Sequence, residues 1–223
     1  MDQQDAAKQA AVPYTLSSGG RELLKWIALL LMTGDHVAKV VFGGYVPVVS
    51  ELGRVAFPLF ALVMACNLAQ PGADLGKSIR RLLLWGAIAQ PLHLLAFGQP
   101  LPLNILLTFA VAALAVLALE QGRAWLILLA GGVLPMLVDY QWAGVALVVL
   151  GWIAFRNRLW WLPLPALAAL CWTNGNGWAL LAVPLLCALA RVPWRVPRWR
   201  WSFYLYYVGH LAVLAGYAMV AGR

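Results

Sequence analysis

Two histidines and one aspartate lie inside long apolar segments of this sequence. Asp35 and His36 interrupt the segment 23–42, LLKWIALLLMTGDHVAKVVF, and His210 interrupts the last apolar segment. Imidazole and carboxylate groups accept, donate and relay protons, and ionisable residues inside membrane helices usually mark a functional site. The structural alternative is that Lys39, one helical turn after Asp35, neutralises the carboxylate while His36 hydrogen-bonds to a neighbouring helix.

Helical geometry gives the depth of the two histidines. About 20 residues of helix, rising about 1.5 Å each, cross a hydrocarbon core of about 30 Å. His36 lies eleven residues beyond Lys25, or about 16 Å along the helix. His210 lies ten residues beyond Arg200, or about 15 Å. If both basic residues mark the same membrane boundary, both histidines reach the midplane. We therefore predict that the two histidines share one cavity.

The composition identifies the environment of these segments. Of the 223 residues, 63% are hydrophobic and 11% are charged, and the mean hydropathy is +0.80. This composition excludes an ordinary soluble domain. We predict an all-α, polytopic membrane bundle formed by one domain, residues 23–223, after a disordered cytosolic tail, residues 1–22. The three cysteines lie in apolar segments without ligand spacing, so no metal site or disulfide is predicted.

Nine apolar segments predict about nine transmembrane helices. They cover residues 24–42, 48–69, 79–97, 103–119, 125–138, 142–155, 159–172, 178–190 and 201–220. Lysine and arginine occur in every second connection and are absent from the alternate ones, so the net charge of +8 reflects topology rather than nucleic-acid binding. This pattern places the amino terminus in the cytosol and the carboxyl terminus outside. The fifth to eighth segments are short for a span, so tilting or a re-entrant pair is the alternative there.

Polar residues are distributed unequally between the two ends of the predicted bundle. The cytosolic ends carry the basic residues Lys25, Lys77, Arg80 and Arg81. The opposite ends carry Glu51, Arg54, His93, Asn104, Asp139, Tyr140 and Asn174. Each outer residue has a structural alternative: Arg54 could pair with Glu51, Asp139 could cap a turn, and His93 could be purely structural.

Several stretches of the chain match known sequence motifs. LKWIALLLMTGDH followed by GRVAFPLFALVMA resembles the start of the TraX family of conjugative pilin acetylases, in which a DH pair closes the first helix and GRIAFPLFAF opens the second. The stretches FYLYYVGHLAVL and VDYQWAGVAL are similar to two later family motifs, each with a local departure. The likeness extends from Lys25 to Leu214. The spacing from Lys25 to His36 also resembles that of an arginine and a histidine in the wider acyltransferase-3 superfamily of integral-membrane acyltransferases.

The resemblance implies an acetyl-CoA-dependent N-acetyltransferase, a multi-pass protein of the bacterial inner membrane surrounded by lipid. Acetyl-CoA would enter from the cytosol, and the acceptor at the periplasmic side would be the N-terminal amine of a conjugative pilin subunit. Basic residues at the cytosolic mouth suit the CoA phosphates, because lysine and arginine bind phosphate well. A lipid amine, a peptidoglycan precursor or a glycan is an alternative acceptor, since each would need the same machinery.

The resemblance also implies roles for individual residues. His36 is the candidate general base. His210 is expected to donate to the thioester carbonyl or the oxyanion, with help from Tyr206 one turn earlier. Asp35, about 100° around the helix from His36, is expected to orient another group or to pair with Lys39.

The remaining expected site residues bind the donor or the acceptor. Those expected to bind the CoA phosphates are Lys25, Arg80 and Arg81. Those expected to bind the acceptor or the acetyl oxygens are Arg54, Asn104, His93, Asp139, Tyr140 and Tyr206. The sequence shows no Ser-His-Asp or Cys-His motif that would form an acyl-enzyme. We therefore expect direct transfer of the acetyl group, with a transient acetyl-histidine as the alternative.

Two other functions would use similar residues. Histidine and aspartate at the midplane also form proton relays in small transporters, although the chain lacks the internal repeat and paired broken helices that usually indicate transport. A non-catalytic factor that holds pilin during assembly is the third possibility. Loss of chemistry with binding retained, in a His36→Ala variant, would separate an enzyme from such a factor.

Overall fold

The computed structural model describes residues 16–194 and 201–222, and this part of the chain is all-helical without a β-strand. Its nine α-helices are α1 Ser18–Val40, α2 Val49–Leu68, α3 Leu75–Phe97, α4 Ile105–Gln121, α5 Ala124–Leu128, α6 Gln141–Asn157, α7 Leu164–Asn174, α8 Ala182–Leu189 and α9 Ser202–Val220. Helix α5 continues through a π-helical turn, Leu129–Val133, and a 3-10 turn, Leu134–Leu137. A 3-10 turn at Trp178–Leu181 precedes α8.

Each predicted apolar segment overlaps one of these helices. The first helix begins earlier than expected, because Ser17 caps it: the Ser17 Oγ accepts a hydrogen bond from the Gly20 backbone N–H at 3.0 Å. Residues 18–22 are therefore helical, and the tail boundary predicted at residue 22 is wrong by five residues. The rest of the predicted tail, residues 1–15, lies outside the described residues, as do three of the basic residues predicted to orient the last connection, Arg195, Arg198 and Arg200.

Two helices, α2 and α9, are long and apolar enough to cross a membrane by length and composition. Most of α2 is buried against other helices, whereas most of α9 lies on the surface of the bundle. Helices α1 and α3 are each 23 residues long but carry more polar residues. The apolar helices at Ile105–Gln121, Ala124–Leu137 and Trp178–Leu189 are shorter. The number of spans and their orientation stay predictions.

Helix packing leaves a space in the middle of the bundle. Helix α1 packs along α2, α3 packs against α4 and α9, and α6 packs against α2 and α4. Small residues permit the close contacts: a Cβ on Gly151 of α6 would lie 2.9 Å from the Ala65 Cβ of α2. Phe57 of α2 stacks between Tyr140, at 4.0 Å between ring centroids, and Phe109 of α4, at 5.8 Å. These contacts form one wall of the central space.

Candidate active site

A cavity of about 510 Å³ lies between α1, α2, α3, α4 and α9. The residues that line it along α1 include Glu22, Lys25, Leu29, Met32, His36 and Lys39. Successive members are three or four residues apart, so they lie on one face of the helix. Because Glu22 and Lys39 are 17 residues apart, the cavity follows α1 for about 25 Å. The cavity therefore extends along most of the length of α1.

His36 of α1 contacts His210 of α9 partway along this cavity. The His36 Nδ1 lies 2.8 Å from the His210 Nε2, and the two rings are stacked with centroids 5.1 Å apart. The ring of Phe97, the last residue of α3, packs edge-on against His36 with a centroid distance of 5.1 Å. The sequence predicted that the two histidines share one cavity. They are in contact, but only His36 is among the residues that line the cavity.

The hydrogen bonds around this pair determine where the protons lie when both rings are neutral. The His210 Nδ1 lies 3.2 Å from the backbone carbonyl oxygen of Tyr206, which can only accept a hydrogen bond. The His210 Nδ1 must therefore carry the proton, which leaves its Nε2 as an acceptor. The His36 Nδ1 then donates to His210, and the His36 Nε2 keeps its lone pair. The arrangement leaves His36 with a basic nitrogen.

The buried Asp35 carboxylate forms an ion pair with the exposed Lys39 beside His36. The Lys39 Nζ lies 2.6 Å from the Asp35 Oδ2, one helical turn away, as the structural alternative predicted. Helix α2 packs closely against this aspartate: a Cβ on Gly53 would lie 2.4 Å from the Asp35 Cβ. Only glycine permits this approach. The Asp35 Oδ1 has no hydrogen-bond partner within the part of the chain that the structure describes. Asp35, Lys39 and Gly53 all line the cavity.

Lys25 and Arg81 line the end of the cavity at which α1, α3 and α9 begin. The Lys25 Nζ lies 2.7 Å from the Glu22 Oε1 and 4.5 Å from the centroid of the Phe203 ring. The Arg81 guanidinium lies 5.5 Å from the centroid of the Tyr204 ring. The Arg81 Nε has no hydrogen-bond partner among residues 16–194 and 201–222. This end therefore contains the Glu22–Lys25 ion pair and a second cation, Arg81, and each cation lies against an aromatic ring.

Two polar residues at this end were not predicted from the sequence. Arg80, which was predicted to bind the CoA phosphates, lies elsewhere. Asn67 and Ser78 line the cavity near Arg81. Ser78 precedes Arg81 by three residues and so shares its helix face, which is the signal that could have identified it. Arg80 lies on a different face of α3, where its side chain is exposed and does not line the cavity.

The opposite end of the cavity is lined by His93, Asp139 and Tyr140, as well as by the Asp35–Lys39 pair. The Asp139 Oδ1 accepts a hydrogen bond from the Tyr140 backbone N–H at 3.0 Å. Tyr140 has a positive φ of 58°, a rare conformation for a residue with a side chain. The structure thus brings three of the residues predicted to bind the acceptor to one end of the cavity.

Three other predicted residues lie outside the cavity wall. The Asn104 side chain caps α4 by accepting from the Leu106 N–H at 3.1 Å, and its Nδ2 donates to the Gly86 carbonyl and the Gln90 Oε1, both at 2.8 Å. The Tyr206 hydroxyl lies 3.0 Å from the Thr33 Oγ1. The polar groups of Asn104 and Tyr206 therefore form hydrogen bonds to other groups of the protein and do not line the cavity.

Arg54 is the third predicted residue that does not line the cavity. Its Nη1 donates to the Asn174 Oδ1 at 3.5 Å. Glu51, the partner that the structural alternative gave to Arg54, accepts instead from the Tyr45 hydroxyl at 2.7 Å and from the Val48 N–H at 3.1 Å. The described residues therefore do not form the Arg54–Glu51 pair that was the structural alternative for Arg54.

Comparison with known proteins identifies the family. The model of the TraX protein family matches residues 20–218. Protein TraX of Escherichia coli is 39% identical over 109 residues, which are 49% of this chain and 44% of that protein. Protein TraX of Escherichia coli strain K12 is 35% identical over a segment of the same length and coverage. The matched segment spans less than half the length of these curated relatives, and no solved structure matches. Because the family match covers nearly the whole chain, the protein belongs to the TraX family.

Proposed function

We propose that this chain is a membrane-embedded acetyltransferase. It moves an acetyl group from cytosolic acetyl-CoA to an acceptor at the periplasmic side, the N-terminal amine of a conjugative pilin subunit. The observation that carries the proposal is the cavity along α1, which has cations at one end, His36 partway along and a mixed acid–base group at the other end. Membership of the TraX family supports the same function.

The proposed membrane topology gives this cavity its direction. With nine spans and a cytosolic amino terminus, the Lys25 and Arg81 end faces the cytosol and the Asp139 end faces the periplasm. Acetyl-CoA is made in the cytosol and pilin is exposed outside. A cavity between the two compartments lets donor and acceptor meet at His36 without either crossing the membrane completely.

The cytosolic end suits the phosphates of CoA. This end holds the side chains of Lys25, which is paired with Glu22, and of Arg81, so its net charge is positive, and Ser78 and Asn67 add neutral hydrogen-bonding groups. Arginine binds phosphate with two parallel N–H groups, and the Arg81 Nε has no hydrogen-bond partner in the described residues. The thioester would then extend along α1 toward His36.

The transfer step needs one proton acceptor at the right position. The amine nitrogen attacks the thioester carbonyl carbon, and the His36 Nε2 removes the proton that this nitrogen loses. The C–S bond then breaks, and the leaving thiolate takes the proton back from His36. The products are the N-acetylated peptide and CoA thiol, so atoms and charge balance. His210 holds His36 in the required tautomer and orientation, a positioning role in place of the oxyanion role expected from the sequence.

The direct test reconstitutes the purified protein in liposomes with acetyl-CoA and a pilin that has a free N-terminus. Intact-mass measurement should show the addition of one acetyl group to the pilin. The variant His36→Ala should lower the rate by about 100-fold to 10,000-fold, the usual range for a general base, while CoA binding is retained. If the wild-type protein neither binds CoA nor modifies pilin, the proposal fails. Equal loss of binding and acetylation in His36→Ala would favour a non-catalytic pilin-binding factor.

Transport is the second candidate, because a polar cavity with paired histidines also suits a proton relay. A pH-sensitive dye inside the same liposomes separates the two functions. A proton flux that needs neither acetyl-CoA nor pilin, and that His36→Ala abolishes, would favour a transporter. An enzyme should leave the internal pH unchanged in the absence of its substrates.

A further inference from the structure

A hydrogen bond between Thr33 of α1 and Tyr206 of α9 lies one helical turn before the histidine pair. The Tyr206 hydroxyl lies 3.0 Å from the Thr33 Oγ1, and neither side chain lines the central cavity along α1. We infer that Thr33 and Tyr206 are positioning residues, whose hydrogen bond holds α9 at the distance from α1 that the contact between His36 and His210 requires. The inference rests on the proposed function and assigns the residues that support its general base.

The two hydroxyl groups lie on the same helix faces as the two histidines. Thr33 precedes His36 by three residues and Tyr206 precedes His210 by four, and residues three or four apart share one face of an α-helix. The hydrogen bond and the histidine contact therefore follow each other along one seam between the two helices. The Tyr206 ring also stacks on the His210 ring, with centroids 5.6 Å apart and an interplanar angle of 20°. Tyr206 thus contacts His210 through its ring and α1 through its hydroxyl.

The direction of this hydrogen bond follows from the other partner of Thr33. The Thr33 Oγ1 lies 2.8 Å from the backbone carbonyl oxygen of Leu29, which can only accept a hydrogen bond. A threonine hydroxyl has one proton, so Thr33 donates to Leu29 and its oxygen accepts from the Tyr206 hydroxyl. This bond is directional, unlike the apolar cluster that includes Val40 of α1 and Leu214 of α9. It therefore restricts how α9 slides or tilts against α1.

The histidine contact tolerates little movement of the two helices. The His36 Nδ1 and the His210 Nε2 are 2.8 Å apart, and hydrogen bonds from N–H groups usually stay within about 3.2 Å. A separation by about 0.5 Å would therefore release His36 and let its ring carry the proton on Nε2, where the base needs a lone pair. If the two hydroxyl groups served only to satisfy each other, their removal would change stability and leave the tautomer of His36 as it is.

The first experiment removes each hydroxyl group and keeps the shape of the side chain. Its acceptor is the pilin peptide, a synthetic peptide with the amino-terminal sequence of mature pilin. Tyr206→Phe and Thr33→Val should each lower kcat by about 3-fold to 10-fold, the usual contribution of one hydrogen bond, and leave the KM for acetyl-CoA and for the peptide within about twofold. The double variant should be no slower than the slower single variant, because the two groups share one bond. An unchanged kcat, or losses that add in the double variant, would overturn the inference.

Two control variants make the same chemical changes elsewhere in the bundle. Thr173→Val, in α7, removes a hydroxyl that donates to the Leu170 backbone carbonyl at 3.1 Å, as Thr33 donates to that of Leu29. Tyr217→Phe removes an exposed tyrosine hydroxyl from the same helix as Tyr206. Both controls should keep kcat within about twofold of the wild type. Losses in the controls as large as those in the test variants would overturn the inference.

The second experiment observes the tautomer of His36 without any substrate. NMR of protein with isotope-labelled histidine distinguishes protonated from unprotonated ring nitrogens, and the chain has only three histidines, which single substitutions assign. In the wild type, the His36 Nδ1 should carry the proton and the Nε2 none. Tyr206→Phe and Thr33→Val should move both signals toward a mixture of the two tautomers. An unchanged His36 spectrum in both folded variants would overturn the inference, whereas a wild type that does not acetylate pilin would refute the proposed function.

Discussion

At the scale of single residues, the chemistry depends on the contact between His36 and His210. The carbonyl oxygen of Tyr206 determines the tautomer of His210, and His210 in turn determines the tautomer of His36. A histidine in this position needs no carboxylate partner to present its Nε2 as a base. The Asp35 carboxylate pairs with Lys39 rather than with His36. This agrees with the separation of about 100° between Asp35 and His36 around the helix.

This arrangement predicts the effects of two substitutions at position 210. His210→Ala should lower kcat for acetylation by about 10-fold to 100-fold and change KM little, because it removes the group that orients the base. His210→Gln should recover part of the lost rate, since the amide oxygen can accept the hydrogen bond from His36. Steady-state kinetics on the pilin peptide provide the measurement. If His210→Gln is as inactive as His210→Ala while both variants fold, His210 does more than position His36.

At the scale of elements, the rotation of each helix decides which residues reach the cavity. Arg80 and Arg81 are adjacent on α3, yet Arg81 lines the cavity and Arg80 is exposed. Consecutive residues are separated by about 100° around an α-helix, so Arg80 can face outward while Arg81 faces the cavity. The close approach of α1 and α2 at Gly53 holds the cavity face of α1 in place.

The two arginines form a matched pair for testing the CoA site. Arg81→Gln should raise the KM for acetyl-CoA by about 10-fold to 100-fold, because it removes a charged hydrogen-bonding group from the phosphate site. Arg80→Gln removes the same charge from the same helix and should change this KM by less than about twofold. CoA titrations of the two purified variants provide the comparison. Equal weakening by both substitutions would indicate general electrostatic attraction rather than a site at Arg81.

At the scale of the whole molecule, the proposed function requires that the two ends of the cavity lie on opposite sides of the membrane. The basic connections predict the ends of α2, α4 and α6 in the cytosol and the connections after α1, α3, α5 and α7 outside. The large exposed hydrophobic residues, such as Leu30, Val213 and Trp172, are consistent with a lipid-facing surface.

Cysteine labelling in intact cells tests this arrangement. In a variant without Cys66, Cys171 and Cys187, a cysteine introduced at Gln99 should react with a membrane-impermeant maleimide. A cysteine introduced at Gln121 should react only after the cells are lysed. The reverse pattern, or labelling of both positions from outside, would rule out the proposed orientation and with it the direction of acetyl transfer.

The positions of the helices were predictable from the sequence because the signals are local. Runs of apolar residues, the glycines and prolines that separate them, and the basic connections are read without knowledge of the fold. The contact between His36 and His210 is consistent with the depths predicted from helical rise, and the Asp35–Lys39 pair follows from their spacing of one helical turn. The start of α1 at Ser18 was missed because a polar helical turn before the apolar segment resembles a tail.

The identity of the cavity residues was decided by the tertiary structure. Asn104, Arg54 and Tyr206 have the same chemical character as the residues of the cavity wall, but neighbouring helices use their polar groups for hydrogen bonds within the protein. Ser78 lines the central cavity and Phe97 lines a second cavity because of the rotation and packing of α3. The sequence by itself determined the approximate positions of the helices and the positions of residues along each helix, since both depend on local composition and helical rise. The faces that meet depend on contacts between distant segments, and so they were decided only when the bundle assembled.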